Sequence, residues 1–266
     1  METRFEFGKN WNGFVKKYYN EERLAASQKH LLQFLEVTDL KGRSFLDVGC
    51  GSGLHSLAAF RAGAERIISF DLDEWSVHAT TYLRSTVGDP DKWTVYNGSI
   101  LDKTFLINLG RADIVYSWGV LHHTGNMWQA LENTLGLVKE RGRLYIAIYD
   151  REVIKPSGEY WLEIKQAYNS SGFLGKRLKE VKYIWDFELA HRPWLLPAFL
   201  RKLREQRMRG MAFYPDLKDW LGGYPFEFAS TEQIKSFCEE GKELKLVKVI
   251  CGEANAEYLF SAELSR

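Results

Sequence analysis

The stretch that decides the fold is SFLDVGCGSGLHSLAAFRAGAERIISFDLD, which runs from Ser44 to Asp73. It opens with a short apolar run around Asp47, and three glycines at a spacing of two follow at once: Gly49, Gly51 and Gly53. Apolar residues at helical spacing come next, and a second apolar run then ends in an acidic residue. The pattern predicts a strand, a glycine turn, a helix and a second strand, with a carboxylate at the tip of each strand.

The predicted turn has the chemistry of a nucleotide-type pocket. Glycine has no Cβ, so the backbone can take φ > 0 and bring N–H groups and a helix N-terminus close to a ligand. In open α/β sheets, ligands lie beyond the carboxyl ends of the strands, where Asp47 and Asp71 are expected. A carboxylate at the tip of the second strand can accept hydrogen bonds from both hydroxyls of a ribose.

The spacing of the glycines excludes two nucleotide motifs. The dinucleotide fingerprint G-x-G-x-x-G needs a glycine where Leu54 stands, and Gly53 comes one place early. There is no G-K-[ST], which excludes a phosphate-binding P-loop. The remaining pattern, D-x-G-x-G-x-G followed by Asp71, resembles the first two motifs of class I S-adenosylmethionine (SAM) methyltransferases. The alternative is a structural glycine turn in another doubly wound protein.

The composition fits a globular protein without a general attraction to nucleic acid. The 266 residues carry a net charge of +1, although residues 151–210 hold 13 Lys and Arg against 7 Asp and Glu. The three cysteines lack metal-ligand spacing and are interpreted as reduced thiols. The amino terminus is too charged and aromatic for a signal peptide, and no stretch approaches the roughly 18 uncharged apolar residues of a membrane span. We therefore expect a cytoplasmic protein.

Hydrophobic periodicity predicts the order of the elements along the chain. Helices are predicted at residues 10–36, 54–61, 74–87, 103–109 and 126–139. Strands are predicted at residues 93–96, 112–117 and 143–149, and an antiparallel hairpin is predicted at residues 244–250 and 257–262. Between them, residues 151–228 form an aromatic and basic insertion with helices near 158–170, 174–190 and 197–208. An insertion at this edge of the sheet is expected to cover the substrate.

Six segments, FEFGKNW, FLDVGCGSG, SFDLD, YSWGVLHHTG, GRLYIAIYD and DWLGGYPFE, resemble one bacterial subgroup of class I SAM-dependent methyltransferases. The resemblance covers essentially the whole chain. It implies an α/β fold with a Rossmann-like sheet of seven strands, the last hairpin antiparallel, and a helical insertion after the fifth strand. Residues 1–150 and 229–266 would form the SAM-binding domain, and residues 151–228 the insertion.

The resemblance also implies which residues bind the cofactor, S-adenosyl-L-methionine. They are Asp47, Gly49, Cys50, Gly51 and Gly53 at the turn, Asp71 and Leu72 at the ribose, Ser99 and Ile100 at the adenine, and Ser117, Trp118 and Gly119 at the methionine end. Ser99 stands where the family commonly has an acid that receives the adenine amino group. Asp102 is a possible substitute, or a cap of the helix that follows.

The candidates for catalysis are His123 and Glu227, either of which could act as a general base. The candidates for substrate binding are Trp11, His122, Asp150, Asp219 and Tyr224. Each has a structural alternative: the histidines can orient a loop, Asp150 can cap the segment after it, and the others can be solvated turn residues. Trp11 belongs to an amino-terminal aromatic segment that either staples a helix to the sheet or closes over the cofactor. No metal site is predicted.

These features predict methyl transfer from SAM to an oxygen, or alternatively a nitrogen, of a small-molecule or glycan-type acceptor. Two alternatives remain open. The basic, aromatic insertion could bind RNA through phosphate contacts and base stacking. The chain could also be a SAM-binding module without catalysis, whose insertion docks an acidic partner or an anionic membrane surface. The oligomeric state is not predicted.

Overall fold

The computed structural model describes Gly8 and residues 19–208, 213–240 and 244–262, with the backbone alone described for residues 204–208, 215 and 216. The chain divides into two compact units. The smaller unit contains Glu159–Phe226, and the larger one contains the described residues up to Gly158 and from Glu227 onward. Within the described ranges, no helix combines the length and the apolar character needed to cross a membrane.

The larger unit is built on a seven-stranded sheet in the order β3-β2-β1-β4-β5-β7-β6. The strands are β1 (Ser44–Val48), β2 (Arg66–Asp71), β3 (Trp93–Asn97), β4 (Ala112–Trp118), β5 (Val138–Tyr149), β6 (Leu244–Cys251) and β7 (Asn255–Ala262). Strands β1 to β5 are parallel, whereas β7 runs antiparallel to both of its neighbours. This topology confirms the predicted sheet and its antiparallel last hairpin.

Helices cover both faces of this sheet. They are α1 (Glu21–Leu35), α2 (Leu54–Arg61), α3 (Glu74–Ser85), α4 (Lys103–Ile107), α5 (Met127–Leu135) and α10 (Thr231–Glu239). Alternate strand residues point to opposite faces. Phe45 therefore packs with residues of α1, α2 and α3, whereas its neighbour Leu46 packs with residues of α5 and α10. Burial on both faces explains why the central strands are continuously apolar.

At two places, the predicted boundaries differ from the structure by more than two residues. The helix predicted at 126–139 ends at Leu135, where Gly136 caps it, and strand β5 already begins at Val138. Val138 pairs with Ala112 before an irregularity near Gly142, so strand pairing overrides the apparent helical pattern. The first helix begins at Glu21, after the cap Asn20; the earlier part of the predicted segment lies outside the described residues.

The smaller unit is helical over its described residues. Its helices are α6 (Gly158–Asn169), α7 (Phe173–Tyr183), α8 (Leu196–Met208) and α9 (Phe213–Gly222), and a π-helical turn, Ile184–Glu188, continues α7. Lys165 of α6 is completely buried here, and its Nζ donates to the carbonyl oxygen of Trp220. The same ammonium lies 4.3 Å from the ring centroid of Trp220 and 4.7 Å from that of Phe226. Burial lowers the pKa of Lys165 to about 7.

Candidate active site

The tips of β1 and β2 are joined through the glycine turn. The N–H groups of Gly49 and Cys50 both donate to the carbonyl oxygen of Phe70, at 2.9 and 3.0 Å. The next N–H along the turn, that of Gly51, donates to Oδ2 of Asp71 at 3.0 Å. The structure thus brings the turn and the Asp71 carboxylate together, as the strand-tip argument predicts.

All three turn glycines have positive φ, as the sequence predicts: 75° at Gly49, 53° at Gly51 and 78° at Gly53. A Cβ on Gly49 would lie 2.4 Å from Cγ1 of Val120. A Cβ on Gly53 would lie 2.8 Å from Cα of Thr80. Close packing within the protein therefore requires glycine at the first and third positions, in addition to the backbone conformation.

Asp71 is held from three directions. Its Oδ2 accepts from Gly51 and its Oδ1 accepts from the N–H of Asp73 at 2.9 Å. From β3, the side-chain amide of Asn97 donates to the carbonyl oxygens of Asp71 and Leu72, both at 3.0 Å. A carboxylate has about four lone-pair sites, so Asp71 can still accept from the hydroxyls of a ligand.

Asp47 is buried beneath the turn rather than exposed at its edge. Ser56 donates to Asp47 Oδ2 at 2.5 Å, and the hydroxyls of Ser56 and Ser69 lie 2.7 Å apart. Trp93 Nε1 completes the chain by donating to Ser69 at 2.9 Å. Burial raises the pKa of Asp47 to about 7, with a further contribution from the charge of Asp71 and an opposing one from Ser56. Cys50 is also buried, and its Sγ accepts from the Thr80 hydroxyl.

The segment after β3 places Ser99 and Ile100 near the tip of the sheet. The Ser99 hydroxyl accepts from the N–H of Leu101 at 3.1 Å. Ile100 is buried, and its carbonyl oxygen accepts from the side-chain amide of Asn133 on α5 at 2.8 Å. Asp102 caps helix α4 by accepting from the N–H groups of Thr104 and Phe105, which is the structural alternative for this residue. Leu72 is exposed.

The end of β4 has one buried and two open positions. The Ser117 hydroxyl is buried and donates to the carbonyl oxygen of Val48 at 3.0 Å, which ties β4 to β1. Trp118 is exposed. Gly119 has φ = 74°, and a Cβ built on it would meet no atom within 4 Å. Side-chain volume at position 119 would therefore project into open space at the carboxyl edge of the sheet.

The two histidines after β4 pack around Tyr149 at the end of β5. The ring centroid of His122 lies 3.9 Å from that of Tyr149, and the centroid of His123 lies 5.5 Å from it. His122 is buried, and its Nδ1 accepts from the N–H of Tyr149 at 3.1 Å. A ring nitrogen that accepts in this way uses its lone pair, so this hydrogen bond fixes the orientation of the His122 ring against β5. His123 is also buried, with a small exposed fraction of 8%.

Glu227 lies at the N-terminus of helix α5. Both of its carboxylate oxygens are 3.1 Å from the N–H of Met127, and its own N–H donates to the carbonyl oxygen of His122 at 2.9 Å. The side chain is half-buried. Burial raises the pKa of Glu227, while hydrogen bonds from the N–H groups of Met127 and Gly125 oppose that rise. The carboxylate is thereby fixed to the loop that follows β4.

Asp150, a predicted substrate ligand, is buried in a hydrogen-bond network of the larger unit. Its Oδ1 accepts from the N–H groups of Glu152 and Val153, at 2.8 and 3.2 Å. Its Oδ2 accepts from the hydroxyls of Thr231 and Tyr258, at 2.8 and 3.1 Å. These contacts cap the segment that follows β5, which is the structural role that the sequence left open.

Of the three remaining predicted substrate residues, two belong to the smaller unit and one lies outside the described residues. Asp219 belongs to the smaller unit, where its charge acts on Lys165. Tyr224 is half-buried in that unit and precedes a cis-proline, Pro225. Trp11 lies outside the described residues. The neighbouring Gly8 is described, and its N–H donates to Oδ2 of Asp73 at 3.0 Å.

Sequence reasoning gave no role to Asn97, although a signal for one was present. Asn97 ends β3 directly beside Asp71 in the parallel register. Its side chain donates hydrogen bonds to two carbonyl oxygens at the tip of β2.

In the part of the chain that the structure describes, no group of three or more His, Cys, Asp or Glu side chains is placed to hold a metal ion.

The comparisons with known proteins agree with this geometry. A family model described as a methyltransferase domain matches residues 18–207, which is most of the chain. The chain belongs to that methyltransferase family. Its sheet, with seven strands and an antiparallel last hairpin, is the Rossmann-like sheet that solved methyltransferase structures share. The N–H groups of Gly49, Cys50, Gly51 and Gly53 all donate within the protein, so the features that suit a cationic adenosyl ligand are the negative charge of Asp71 and the open side of Gly119.

Similarity to individual proteins is more local. The methyltransferase is 34% identical over 116 residues to a ribosomal protein L11 methyltransferase from Tolumonas auensis, covering 44% of this chain and 37% of the relative. It is 31% identical over 129 residues to a tRNA U34 carboxymethyltransferase from Methylococcus capsulatus, covering 47% of this chain and 39% of the relative. The chain thus spans less than half the length of these curated relatives.

A solved structure extends the likeness of fold to nearly the whole chain. The N-methyltransferase NodS from Bradyrhizobium japonicum, solved with S-adenosyl-L-homocysteine, superposes with a TM-score of 0.53 at 10% identity. The superposition covers 97% of this chain and 99% of NodS. At this identity, the likeness establishes the shared fold of the methyltransferase and does not identify its acceptor.

Proposed function

We propose that this enzyme methylates a hydroxyl oxygen of a small-molecule or glycan-type acceptor, with Glu227 as the general base. The observation that carries the proposal is a half-buried carboxylate with a raised pKa, fixed to the loop at the end of β4. A neutral hydroxyl must lose its proton during methylation, whereas an unprotonated amine is already nucleophilic. A positioned base therefore favours oxygen over nitrogen as the acceptor atom.

The residues that would hold the cofactor surround the tips of β1, β2 and β4. Asp71 would accept from the ribose, and the turn from Gly49 to Gly53 would let the ligand approach its backbone. The open side of Gly119 would admit the methionine end. Bound SAM supplies a methyl group already activated by a positively charged sulfur. The protein then has to align the acceptor, exclude water and remove a proton, and alignment alone can contribute about 7–11 kcal/mol.

Glu227 has the properties expected of such a base. The two N–H groups that bind its carboxylate fix its position but leave lone pairs able to accept a proton. Its raised pKa brings it closer to the operating pH, which improves proton transfer. His123 is the alternative base. His122, whose Nδ1 is already occupied by the Tyr149 N–H, is better suited to orient the loop.

The test compares Glu227→Gln with the matched control Glu232→Gln, which changes an exposed glutamate on α10. The acceptor is first sought by incubating cell extract with SAM and enzyme, looking for species heavier by one methyl. Turnover of that species should fall about 10²–10⁴-fold in Glu227→Gln. Affinity for SAM, measured by calorimetry, should stay unchanged in both variants. The rate of the parent enzyme should rise with pH as Glu227 deprotonates.

Two results would contradict the proposal in different ways. If the parent enzyme does not bind SAM at millimolar concentration, the cofactor assignment is wrong. If the parent binds SAM but Glu227→Gln turns over as fast as the parent, then Glu227 is not the general base. The argument for an oxygen acceptor then fails, because it rests on that base. His123→Gln would next be compared in the same assay. If the methyl group is found on an amine nitrogen of the product, the choice of oxygen as the acceptor atom is wrong, but the cofactor assignment still holds.

RNA is the second candidate acceptor, because one curated relative is a tRNA-modifying enzyme and residues 151–210 carry excess positive charge. Phosphate contacts release counterions, so RNA binding should weaken steeply as salt is raised. A salt titration of binding to a bulk tRNA pool distinguishes the two acceptors: tight, salt-sensitive binding supports RNA. Membership of a methyltransferase family argues against a module without catalysis.

A further inference from the structure

Helix α7 and the π-helical turn after it expose an apolar row within the smaller unit. The row consists of Leu174, Leu178, Val181 and Trp185, whose exposed fractions range from 41% to 75%. Their spacing of four, three and four residues places all four side chains within an arc of about 60° on one side of the helix. A monomeric protein normally buries such a contiguous row, so the row marks an interaction surface.

The charges beside this row are asymmetric. The acidic residues of Phe173–Glu188 are Glu180, Asp186 and Glu188, and their side chains are at most 17% exposed. Each is engaged by a cation: Arg177 lies 2.7 Å from Glu180, Lys182 lies 2.6 Å from Asp186, and Lys202 lies 2.7 Å from Glu188. The cations themselves are 47%, 67% and 49% exposed. Arg177 and Lys182 belong to α7 and Lys202 to α8, so the outer side of these three ion pairs is positive.

We propose that the row from Leu174 to Trp185, with the cations beside it, docks the enzyme on an anionic phospholipid surface. An exposed helix with an aliphatic and Trp face bordered by Lys and Arg lies in the plane of the interface. Its long cationic side chains reach the phosphate groups while its apolar face enters the acyl boundary. The row belongs to the smaller unit, and the proposal does not depend on the acceptor.

Two other occupants fit the surface less well. In a second copy, the same row would face itself, and the outward cations of the two copies would meet while Phe173–Glu188 offers no exposed acid to oppose them. RNA would satisfy the cations. However, only Trp185 of the row has a flat ring on which a base could stack; the other three side chains are aliphatic. An anionic membrane satisfies both the apolar row and the cations.

The test is co-sedimentation of the full chain with vesicles. Phosphatidylcholine vesicles are compared with vesicles that also contain phosphatidylglycerol, at low and high salt. We expect binding to the anionic vesicles that exceeds binding to the neutral ones by about fivefold for each cation at the surface. We also expect it to weaken as salt rises. The double variant Leu174→Gln/Leu178→Gln should lower this binding about tenfold or more, because two apolar side chains no longer enter the bilayer.

The matched control is Ile107→Gln, which removes an equally exposed aliphatic side chain from helix α4 of the larger unit. It should leave vesicle binding unchanged, and circular dichroism should show that every variant is folded. Equal loss in the control would overturn the proposal, as would equal binding to neutral vesicles. A wild-type dimer that the double variant dissociates, without vesicle binding, would overturn it in favour of a second copy. Salt-sensitive RNA binding without vesicle binding would also overturn it.

Discussion

Replacing Gly49 by alanine tests whether the glycine turn is required by packing as well as by conformation. Gly49 has φ = 75°, a left-handed conformation that costs a residue with a Cβ about 1–2 kcal/mol. The new Cβ would also lie 2.4 and 2.5 Å from the two methyl groups of Val120. Relieving such overpacking costs about 1–3 kcal/mol. The variant should therefore lose about 2–5 kcal/mol of unfolding free energy.

A matched glycine separates the two contributions. Gly42 has φ = 68°, but a Cβ there would meet nothing within 4 Å. Gly42→Ala should lose the conformational part alone, about 1–2 kcal/mol. In the Val120→Ala background, the two methyl groups are gone and the Val120 Cβ remains at 2.9 Å. Gly49→Ala should then cost less than it does in the parent, with a coupling of about 1–3 kcal/mol.

Urea unfolding followed by circular dichroism measures all five proteins: parent, Gly42→Ala, Gly49→Ala, Val120→Ala and the double variant of Gly49 and Val120. Equal losses for Gly42→Ala and Gly49→Ala would refute the packing argument. Additive losses in the double variant would refute the assignment of the clash to Val120. In the first case, the positive φ alone would explain why glycine occupies position 49.

Three further predictions concern other parts of the molecule. Gly119→Ala should cost as much stability as Gly42→Ala, because a Cβ at either position meets no atom within 4 Å. If the methionine end of SAM lies beside Gly119, the variant should also weaken SAM binding about tenfold or more, as measured by calorimetry. Unchanged affinity would contradict that placement. Asn97→Asp places a carboxylate opposite two carbonyl oxygens, so it should cost about 1–3 kcal/mol of stability and weaken SAM binding. The control, Asn108→Asp, loses one exposed hydrogen bond to α4 and should leave SAM binding intact. Burial lowers the pKa of Lys165 from 10.5 to about 7, so the unfolded chain binds more protons than the folded one between these pH values. The melting temperature of the parent should therefore rise relative to that of Lys165→Met as the pH increases from about 7 toward 10. A difference in melting temperature that stays constant with pH would contradict the burial of this charge.

The sequence was sufficient to predict the sheet and the proximity of Asp71 to the glycine turn. The central strands appear as apolar runs because they are buried on both faces, and each run ends where polar residues or glycines begin. Parallel strands place their carboxyl ends at one edge, so the proximity of Asp71 to the glycine turn followed from the order of the motifs. The hydrogen bond between Gly51 and Asp71 agrees with that inference.

Other features depend on contacts that periodicity does not encode. The end of helix α5 was misplaced because Val138 pairs with Ala112, a preference that no local pattern reveals. The burial of Lys165 could not be predicted either. Its aromatic and carbonyl partners, Trp220 and Phe226, are more than 50 residues away in the chain. Lysine at helical spacing normally indicates a solvated face, and tertiary packing overrides that expectation here.

Glu227 shows why such distant contacts matter for the proposed chemistry. It is 100 residues from Met127 in the sequence, yet its carboxylate binds the N–H of that residue. The chain leaves the larger unit after β5 and returns beside the same strand, where the N–H of Ala229 donates to the carbonyl oxygen of Tyr149 at 3.2 Å. The N–H of Arg151 in turn donates to the carbonyl oxygen of Ala229 at 3.0 Å. The ends of the intervening segment are thus joined by hydrogen bonds within the larger unit. The position of the candidate base is therefore set by the same unit that carries the glycine turn and Asp71.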